Sequence, residues 1–276
     1  MIVFPNCKIN LGLNVLQKRS DGFHELETVF YPLAVHDILE IVFLKKLRGQ
    51  PGIPFSVSGL KIDGKQNSNL CIQALKLLIK KIPHMPSVQL HLHKVIPTGS
   101  GLGGGSSDAA FTLKVLNEIF GLDLSKEQLI KYAAQIGSDC PFFIINKPCF
   151  SKGRGELLEE IDLDLSPYKI VLANPGIAVS TREAFTGITP ALPEVSVREI
   201  IKKPIEAWKN ELKNDFEKTI FSQYPGIAKI KDEMYNAGAL YASMSGSGST
   251  VFGIFSKQQS PAISFPSNYF VRELNG

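Results

Sequence analysis

Residues 7–15, CKINLGLNV, alternate strictly: Cys7, Ile9, Leu11, Leu13 and Val15 fall on one side, Lys8, Asn10, Gly12 and Asn14 on the other. A period of two predicts a half-buried β-strand. RSDGFHE reads as a turn, and LETVFYPL and DILEIVFL as further strands. The period then changes in NLCIQALKLLIKKI, where Leu70, Ala74, Leu77 and Leu78 mark the face of a helix that Pro83 and Pro86 close. SVQLHLHKVI alternates again and delivers the chain into PTGSGLGGGSSDAA, where five of the seven positions from Gly99 to Gly105 are glycine. Beyond it, Ala109, Ala110, Leu113, Leu116 and Phe120 form one apolar helical face, with Ser106 and Ser107 as expected N-caps. Ser125 and Gln128 have the spacing of a capping box, and the helix they open is expected to stop near Gly137. GSDCPFFII is expected to lead into another apolar strand.

In the second half KIVLANPG predicts a strand, and helical spacing follows around 181–187, 196–202, 204–213 and 225–237. Strands are expected at LYASM and TVFGIF on either side of SGSGS, with NYFVREL adding one more. Interleaved strands and helices in both halves predict an α/β or α+β protein. The polar, glycine-bearing stretch SKGRGELLEE suggests a boundary that divides 1–158 from 159–276.

Composition narrows the class. A chain of 276 residues, 44% hydrophobic and 20% charged, has the length and balance of one large or two ordinary globular domains. No apolar run approaches a membrane span, and MIVFPNCKIN lacks the pattern of an export signal. Cys7, Cys71, Cys140 and Cys149 make no CxxC pair, which fits reduced thiols and a cytoplasmic location. The net charge of +4 is spread along the chain, so nucleic-acid or membrane partners are not expected, whereas a small anionic substrate is. No His, Cys, Asp and Glu cluster has metal-ligand spacing; His91 and His93 merely alternate on a strand.

A strand, a glycine-rich loop and a helix start make an arrangement that binds phosphate. Bare amides line the loop, and the helix N-terminus adds about half a positive charge. Gly99, Gly101 and Gly104 formally match G-x-G-x-x-G, but a dinucleotide site wants an acid about twenty residues on, and Asp123 lies in a turn and helix cap. A P-loop wants GK[ST] where this chain has SSD, and the HRD and DFG elements of protein kinases are absent. A plain flexible linker is the remaining alternative, set between an unusually well patterned strand and helix.

GLGGGSSDAA, preceded by Pro97, resembles the ATP loop of the GHMP kinases, a superfamily that includes galactokinase, homoserine kinase and mevalonate kinase. PNCKINLGLNVLQKRSDGFHELETVF (5–30), GSDCPFF (137–143), NPGIAVSTREAF (174–185) and MSGSGSTVFGIF (244–255) resemble one branch of it. That branch phosphorylates a CDP-linked methylerythritol on the non-mevalonate isoprenoid route. The resemblance implies an α+β fold with an N-terminal, ATP-binding domain built on a mixed sheet. The C-terminal, substrate-binding domain would be an α/β sandwich with an antiparallel sheet. ATP would bring Mg²⁺ with it, held by phosphate oxygens and a serine such as Ser106 or Ser107, with no permanent metal. The protein would be a monomer or weak homodimer.

The same resemblance assigns roles. Pro97, Gly99, Gly101, Leu102, Gly103, Gly104, Gly105, Ser106 and Ser107 would hold the triphosphate; Lys94, Asn67 and Asn69 match a region that contacts adenine. Asp139 would take the acceptor hydroxyl's proton, with Lys8 keeping it ionised, and Asn10 shares Lys8's side of the strand. Phe23 and His24 match the positions that recognise cytosine, Phe185 a second aromatic across the base, and Phe30 and Thr181 the pocket wall. Phe23 stands where tyrosine is common, and Ser138 and Cys140 flank Asp139 where apolar residues are usual. SGSGS resembles a second glycine loop near the phosphates, though a hairpin turn reads the same way. Another small-molecule kinase of the superfamily, or a silent ATP and sugar sensor, would carry much of the same pattern.

Overall fold

The computed structural model describes residues 1–44, 53–82, 86–259 and 261–276. Pro83, expected to close the first helix, lies outside them. The chain forms two compact units: Met1–Cys7, Ala34–Thr98 and Gly103–Asn146 make the first, and Lys8–Leu33, Gly99–Leu102 and Lys147–Gly276 the second. Residues 158 and 159, which flank the boundary expected from composition, are consecutive in one strand of the second unit.

The first unit holds a mixed sheet in the order β1 (Ile2–Val3), β4 (Ile38–Phe43), β6 (Val88–Lys94), β5 (Phe55–Gly59). β4 runs antiparallel to β6 with Ile38 opposite His93, and β5 runs parallel to it with Phe55 opposite Leu90. Leu39, Ile41, Leu90 and Leu92 are the buried side of that alternation. Helices α1 (Leu70–Lys81), α2 (Gly104–Phe120), α3 (Lys126–Ile136) and α4 (Cys140–Ile145) pack on one another, and α2 also meets β4.

Three expectations change here. α1 buries Cys71, Ile72, Ala74, Leu75 and Leu78 and leaves Leu70 and Leu77 half-buried. So many of its positions are apolar that period alone does not choose the stripe. Ser106 and Ser107 do not cap α2; the helix starts earlier, after left-handed Gly103, with no side-chain cap, and both serines fall inside its first turn. CPFFII is itself a helix, with Pro141 in its first turn, where a missing N–H costs nothing, and the strand it leads into starts only at Cys149. α3 carries the expected capping box of Ser125 and Gln128 and ends at Gly137.

The second unit holds two four-stranded sheets. One is antiparallel, in the order β10 (Tyr241–Met244), β11 (Val251–Ser256), β9 (Tyr168–Asn174), β12 (Phe270–Asn275). The other runs β2 (Asn6–Lys18), β3 (His24–His36), β7 (Cys149–Lys152), β8 (Leu157–Glu160), so SKGRGELLEE becomes a hairpin. Helices α5 (Thr181–Phe185), α6 (Val197–Ile200), α7 (Ile205–Glu211) and α9 (Pro225–Asn236) fall in the expected stretches. α8 (Phe216–Gln223) was not foreseen: it buries only Phe216 and Ile220, too few positions to set a period.

β2 corrects the largest expectation. Asn6 through Val15 are buried on both faces, so the polar side of the alternation faces hydrogen-bond partners instead of water. Asn14 Nδ2 donates to Glu27 Oε1 at 3.0 Å, and Asn10 Nδ2 to Thr28 Oγ1 at 3.0 Å. Burial of such groups is tolerable only with partners of this kind. Among the described residues no helix is long and apolar enough to cross a membrane.

All four cysteines are buried as thiols. Burial pushes the Cys71 thiol up and the Cys140 thiol up to about 12. The native protein is therefore expected to resist iodoacetamide at about pH 8, and the denatured chain to take up four equivalents. Mass spectrometry after timed alkylation checks this; rapid native modification would mean that the thiols are accessible.

Candidate active site

The glycine loop belongs to both units, and each fixes its own part. In the second unit three successive carbonyls are tied down: Ser100 O accepts from Thr250 N–H at 3.0 Å, and Leu102 O from Lys8 N–H at 2.9 Å. Between them, Gly101 O accepts from Lys8 Nζ at 3.0 Å and from the Ser245 hydroxyl at 2.9 Å. Lys8 Nζ also donates to Asn10 Oδ1 at 2.5 Å and lies 5.1 Å from the centroid of the Phe30 ring. Asn10 N–H in turn donates to Ser245 Oγ at 3.2 Å. Lys8, Asn10, Phe30, Gly101 and the SGSGS turn thus form one cluster, buried at Lys8, Asn10, Phe30 and Ser245.

The loop backbone alternates in sign. Gly99, Gly101 and Gly103 have φ of 62°, 79° and 72°, whereas Ser100 and Leu102 do not enter the positive region. Such alternation turns successive amides towards a common side, the geometry of an anion-binding nest. Some of these glycines are demanded by the protein's own packing. A Cβ on Gly101 would lie 1.9 Å from Ser245 O, and one on Gly104 would lie 2.8 Å from Ile96 Cγ2. Gly105 is exposed, and its Cβ would meet only Leu70 Cδ1 at 3.7 Å.

In the first unit, α2 opens with the amides of Gly104, Gly105 and Ser106, which have no acceptor inside the helix and no capping side chain. The Cys140 thiol lies beside the Ser106 side chain, both close to Gly137. That contact ties the start of α4 to the first turn of α2, and Asp139, the N-cap position of α4, precedes Cys140 directly. Asp139 makes no capping bond to α4 and is partly exposed. A row of donors suited to an anion and a carboxylate beside it therefore share this unit.

Residues 69–147 match the model of the GHMP kinases N terminal domain, and residues 196–264 that of the GHMP kinases C terminal domain. A relative in Bacteroides fragilis is 52% identical over 94% of this chain and 93% of its own. Another in Bacteroides thetaiotaomicron is 50% identical over 98% of both. Each is named 4-diphosphocytidyl-2-C-methyl-D-erythritol kinase.

The chain belongs to the GHMP kinase family. The crystal structure of a 4-(cytidine 5'-diphospho)-2C-methyl-D-erythritol kinase superposes with a TM-score of 0.79 at 27% identity, all of both chains being covered. A homoserine kinase from Cytophaga hutchinsonii shares the fold, with a TM-score of 0.72 at 15% identity over 98% of this chain and 94% of its own. GHMP kinases use ATP, and this one is a kinase acting on a small molecule.

Lys94, matched by resemblance to a region that contacts adenine, has its side chain buried in this GHMP kinase. Its ammonium is enclosed between Asp37 Oδ2 and, at 2.8 Å, Asp108 Oδ2. Burial pushes the Asp108 carboxyl up to about 7 against the pull of Lys94, with Asp37 adding to the rise. Asn69 spends its side-chain oxygen on the Cys71 amide at the start of α1, and Asn67 Oδ1 accepts from Lys76 Nζ at 2.9 Å. Leu102 is fully buried, a packing residue of the loop.

The residues matched to the cytosine site lie in two groups. His24 stacks on Phe185 with centroids 4.6 Å apart and planes at 15°, and Phe185 meets Phe216 edge-on at 4.8 Å. Phe23 is 52% exposed and carries the Arg154 guanidinium 4.7 Å from its centroid. Adjacent residues of an extended chain project apart, which is why the two rings have different neighbours. Thr181 is exposed at the start of α5, one turn before Phe185. A cavity of about 1050 Å³ in the second unit, among α6, α7 and α8, is lined by none of the expected site residues.

Among the described residues no group of three or more His, Cys, Asp or Glu could hold a metal. Ser107 Oγ is fully buried without a hydrogen-bond partner there, and Ser106 is half-buried. One reachable hydroxyl and no carboxylate cluster fit an ion whose other ligands come from phosphate and water.

Sequence reasoning missed Asp37, Thr28, Arg154 and the part Asp108 plays. Only Asp108 carried a signal, as an acid in the first turns of a helix otherwise rich in small residues. The two loop glycines with opposite environments make a test. Gly101→Ala should cost about 2–4 kcal/mol, read from the melting temperature, because strain and overlap combine. Gly105→Ala should leave stability intact or raise it by about 0.5–1 kcal/mol while raising KM for ATP. Equal stability of both variants would refute the close approach at Gly101.

Proposed function

We propose that this kinase transfers the γ-phosphoryl group of ATP to the 2-hydroxyl of 4-diphosphocytidyl-2-C-methyl-D-erythritol, in the non-mevalonate synthesis of isoprenoid precursors. The observation that carries the reading is identity of 52% over 94% of the chain to a relative that bears that substrate's name. Geometry adds the nest at Gly99–Gly103, the uncapped start of α2, and Asp139 tied to it through Cys140 and Ser106.

Phosphoryl transfer asks for an anchored triphosphate, neutralised charge and an acceptor oxygen in line with the γ-phosphorus. In this reading the amides of residues 99–106 hold the anionic tail. Asp139 takes the proton of the 2-hydroxyl as that oxygen bonds to phosphorus and the bond to the β-phosphate oxygen breaks, releasing ADP. Lys8 serves as the cation of the mechanism and also as the clamp on Gly101 O. Mg²⁺, when bound, neutralises charge on the phosphates, and Ser106 is the hydroxyl that would reach it. Cytosine would be read by Phe23, His24 and Phe185, beside Asn10, Phe30 and Thr181. A base stacking on the face of Phe185 that His24 covers has to displace His24 from it.

An ADP-release assay offering the CDP-linked methylerythritol, homoserine and mevalonate separately tests the substrate. Turnover with the first alone is expected; preference for another acceptor, or inactivity with all three, would overturn the assignment. Asp139→Asn is expected to lower kcat by about a hundredfold or more with ATP affinity kept. Lys8→Met should lower kcat and raise KM for ATP together, since it also releases Gly101 O. Normal turnover in either variant would remove that residue from the mechanism.

A further inference from the structure

We propose that the buried Asp37–Lys94–Asp108 triad is a positioning device for ATP, setting where the first-turn amides of α2 stand against the end of β6. The proposal rests on the reading of residues 99–107 as the triphosphate loop.

The geometry joins the two stretches that flank the glycines. On the entering side, Asp37 Oδ1 accepts from Val95 N–H at 2.6 Å and from Ile96 N–H at 2.9 Å. Asp37 is itself fixed, its own N–H donating to Pro5 O at 2.9 Å. On the leaving side, Asp108 lies one turn into α2. Lys94 bridges the two acids, and the three side chains are 0%, 1% and 3% exposed for Asp37, Lys94 and Asp108. The bridge also draws the helix start inward: a Cβ on Gly104 would lie 3.2 Å from Lys94 Nζ and 2.8 Å from Ile96 Cγ2. Gly104 is therefore glycine because the triad holds β6 and α2 closer than a side chain allows.

Neither stability nor direct attraction accounts for the arrangement. A buried ion pair often adds nothing over well-packed apolar side chains of the same volume. The triad carries a formal charge of minus one with both acids ionised and zero with Asp108 protonated, neither of which attracts a triphosphate, and the Lys94 side chain is buried. What it does supply is a fixed separation between β6 and the amides of Gly104, Gly105 and Ser106. Donors preset in this way bind an anion without having to be ordered first.

Asp108→Asn keeps the size of the side chain and weakens its hold on Lys94. A second, charge-free variant, Asp37→Asn/Lys94→Met/Asp108→Leu, fills the site without any ion pair. Both are compared with the parent protein for melting temperature, kcat, and KM for ATP and for the acceptor alcohol. KM for ATP is expected to rise about tenfold in both, with KM for the alcohol and kcat at saturating ATP within about twofold. Unchanged KM for ATP in folded variants would overturn the proposal. So would a fall in melting temperature with unaltered constants in the active fraction, the signature of a purely structural triad. Amide NMR of the parent with an unhydrolysable ATP mimic separates the underlying reading. Shifts at Gly104–Ser106 are expected; a bound mimic that leaves residues 99–107 unmoved would remove the loop reading, and the proposal with it.

Discussion

The carbonyls of Ser100, Gly101 and Leu102 are the constraint on which the site depends. All three accept hydrogen bonds from the protein, from Thr250, from Lys8 and Ser245, and from Lys8 again. With these three oxygens consumed the loop has fewer acceptors to turn against an anion, and alternating φ gathers its amides on one side. Three stretches far apart in the chain are therefore one structure. SGSGS is more than a connection between β10 and β11, since Ser245 and Thr250 hold the glycine loop.

This constraint also accounts for a strand buried on both faces. Lys8, Asn10 and Asn14 would each cost several kcal/mol in a dry interior without partners. Here each has found one: Lys8 on Asn10 and Gly101, Asn10 on Thr28, Asn14 on Glu27. Glu27 goes on to accept from Ser196 Oγ at 2.8 Å and Val197 N–H at 2.9 Å. Polar residues along β2 thus tie β3, the glycine loop and the approach to α6 to one strand. A network of this kind stores specificity more than stability, because only one arrangement satisfies every member.

Much of the fold was legible because periods of two and of 3.6 survive tertiary packing, as in β2, β4, β6 and α2. The glycine loop was legible as a place of close backbone approach, because glycines packed this densely between a strand and a helix weaken the chain locally and bare amides suit an anion. What escaped has physical causes. α1 has apolar residues on too many sides for its buried stripe to be read. CPFFII is too short to show a period, and its proline marks a helix only once the first turn is known. Lys94 at the end of a strand matches a region that contacts adenine, yet a neighbour 57 positions away, Asp37, holds it inward. The pairing of His24 with Phe185, and not with Phe23, depends on strand projection that a turn-like stretch does not announce.

The glycines themselves give the sharpest lesson, since one common cause was expected for all five. Gly99 and Gly103 are required by left-handed backbone, and Gly103 is also where the chain passes from one unit to the other. Gly101 is required twice over, by its φ and by the Ser245 carbonyl. Gly104 answers to Ile96 and Lys94, that is, to the protein's own interior. Only Gly105 has neither strain nor a neighbour to justify it, and only there does the absence of a side chain point outward. Bare backbone at that position makes sense if something from outside the chain comes close to it, and a helix start with uncapped amides decides the sign of that visitor's charge.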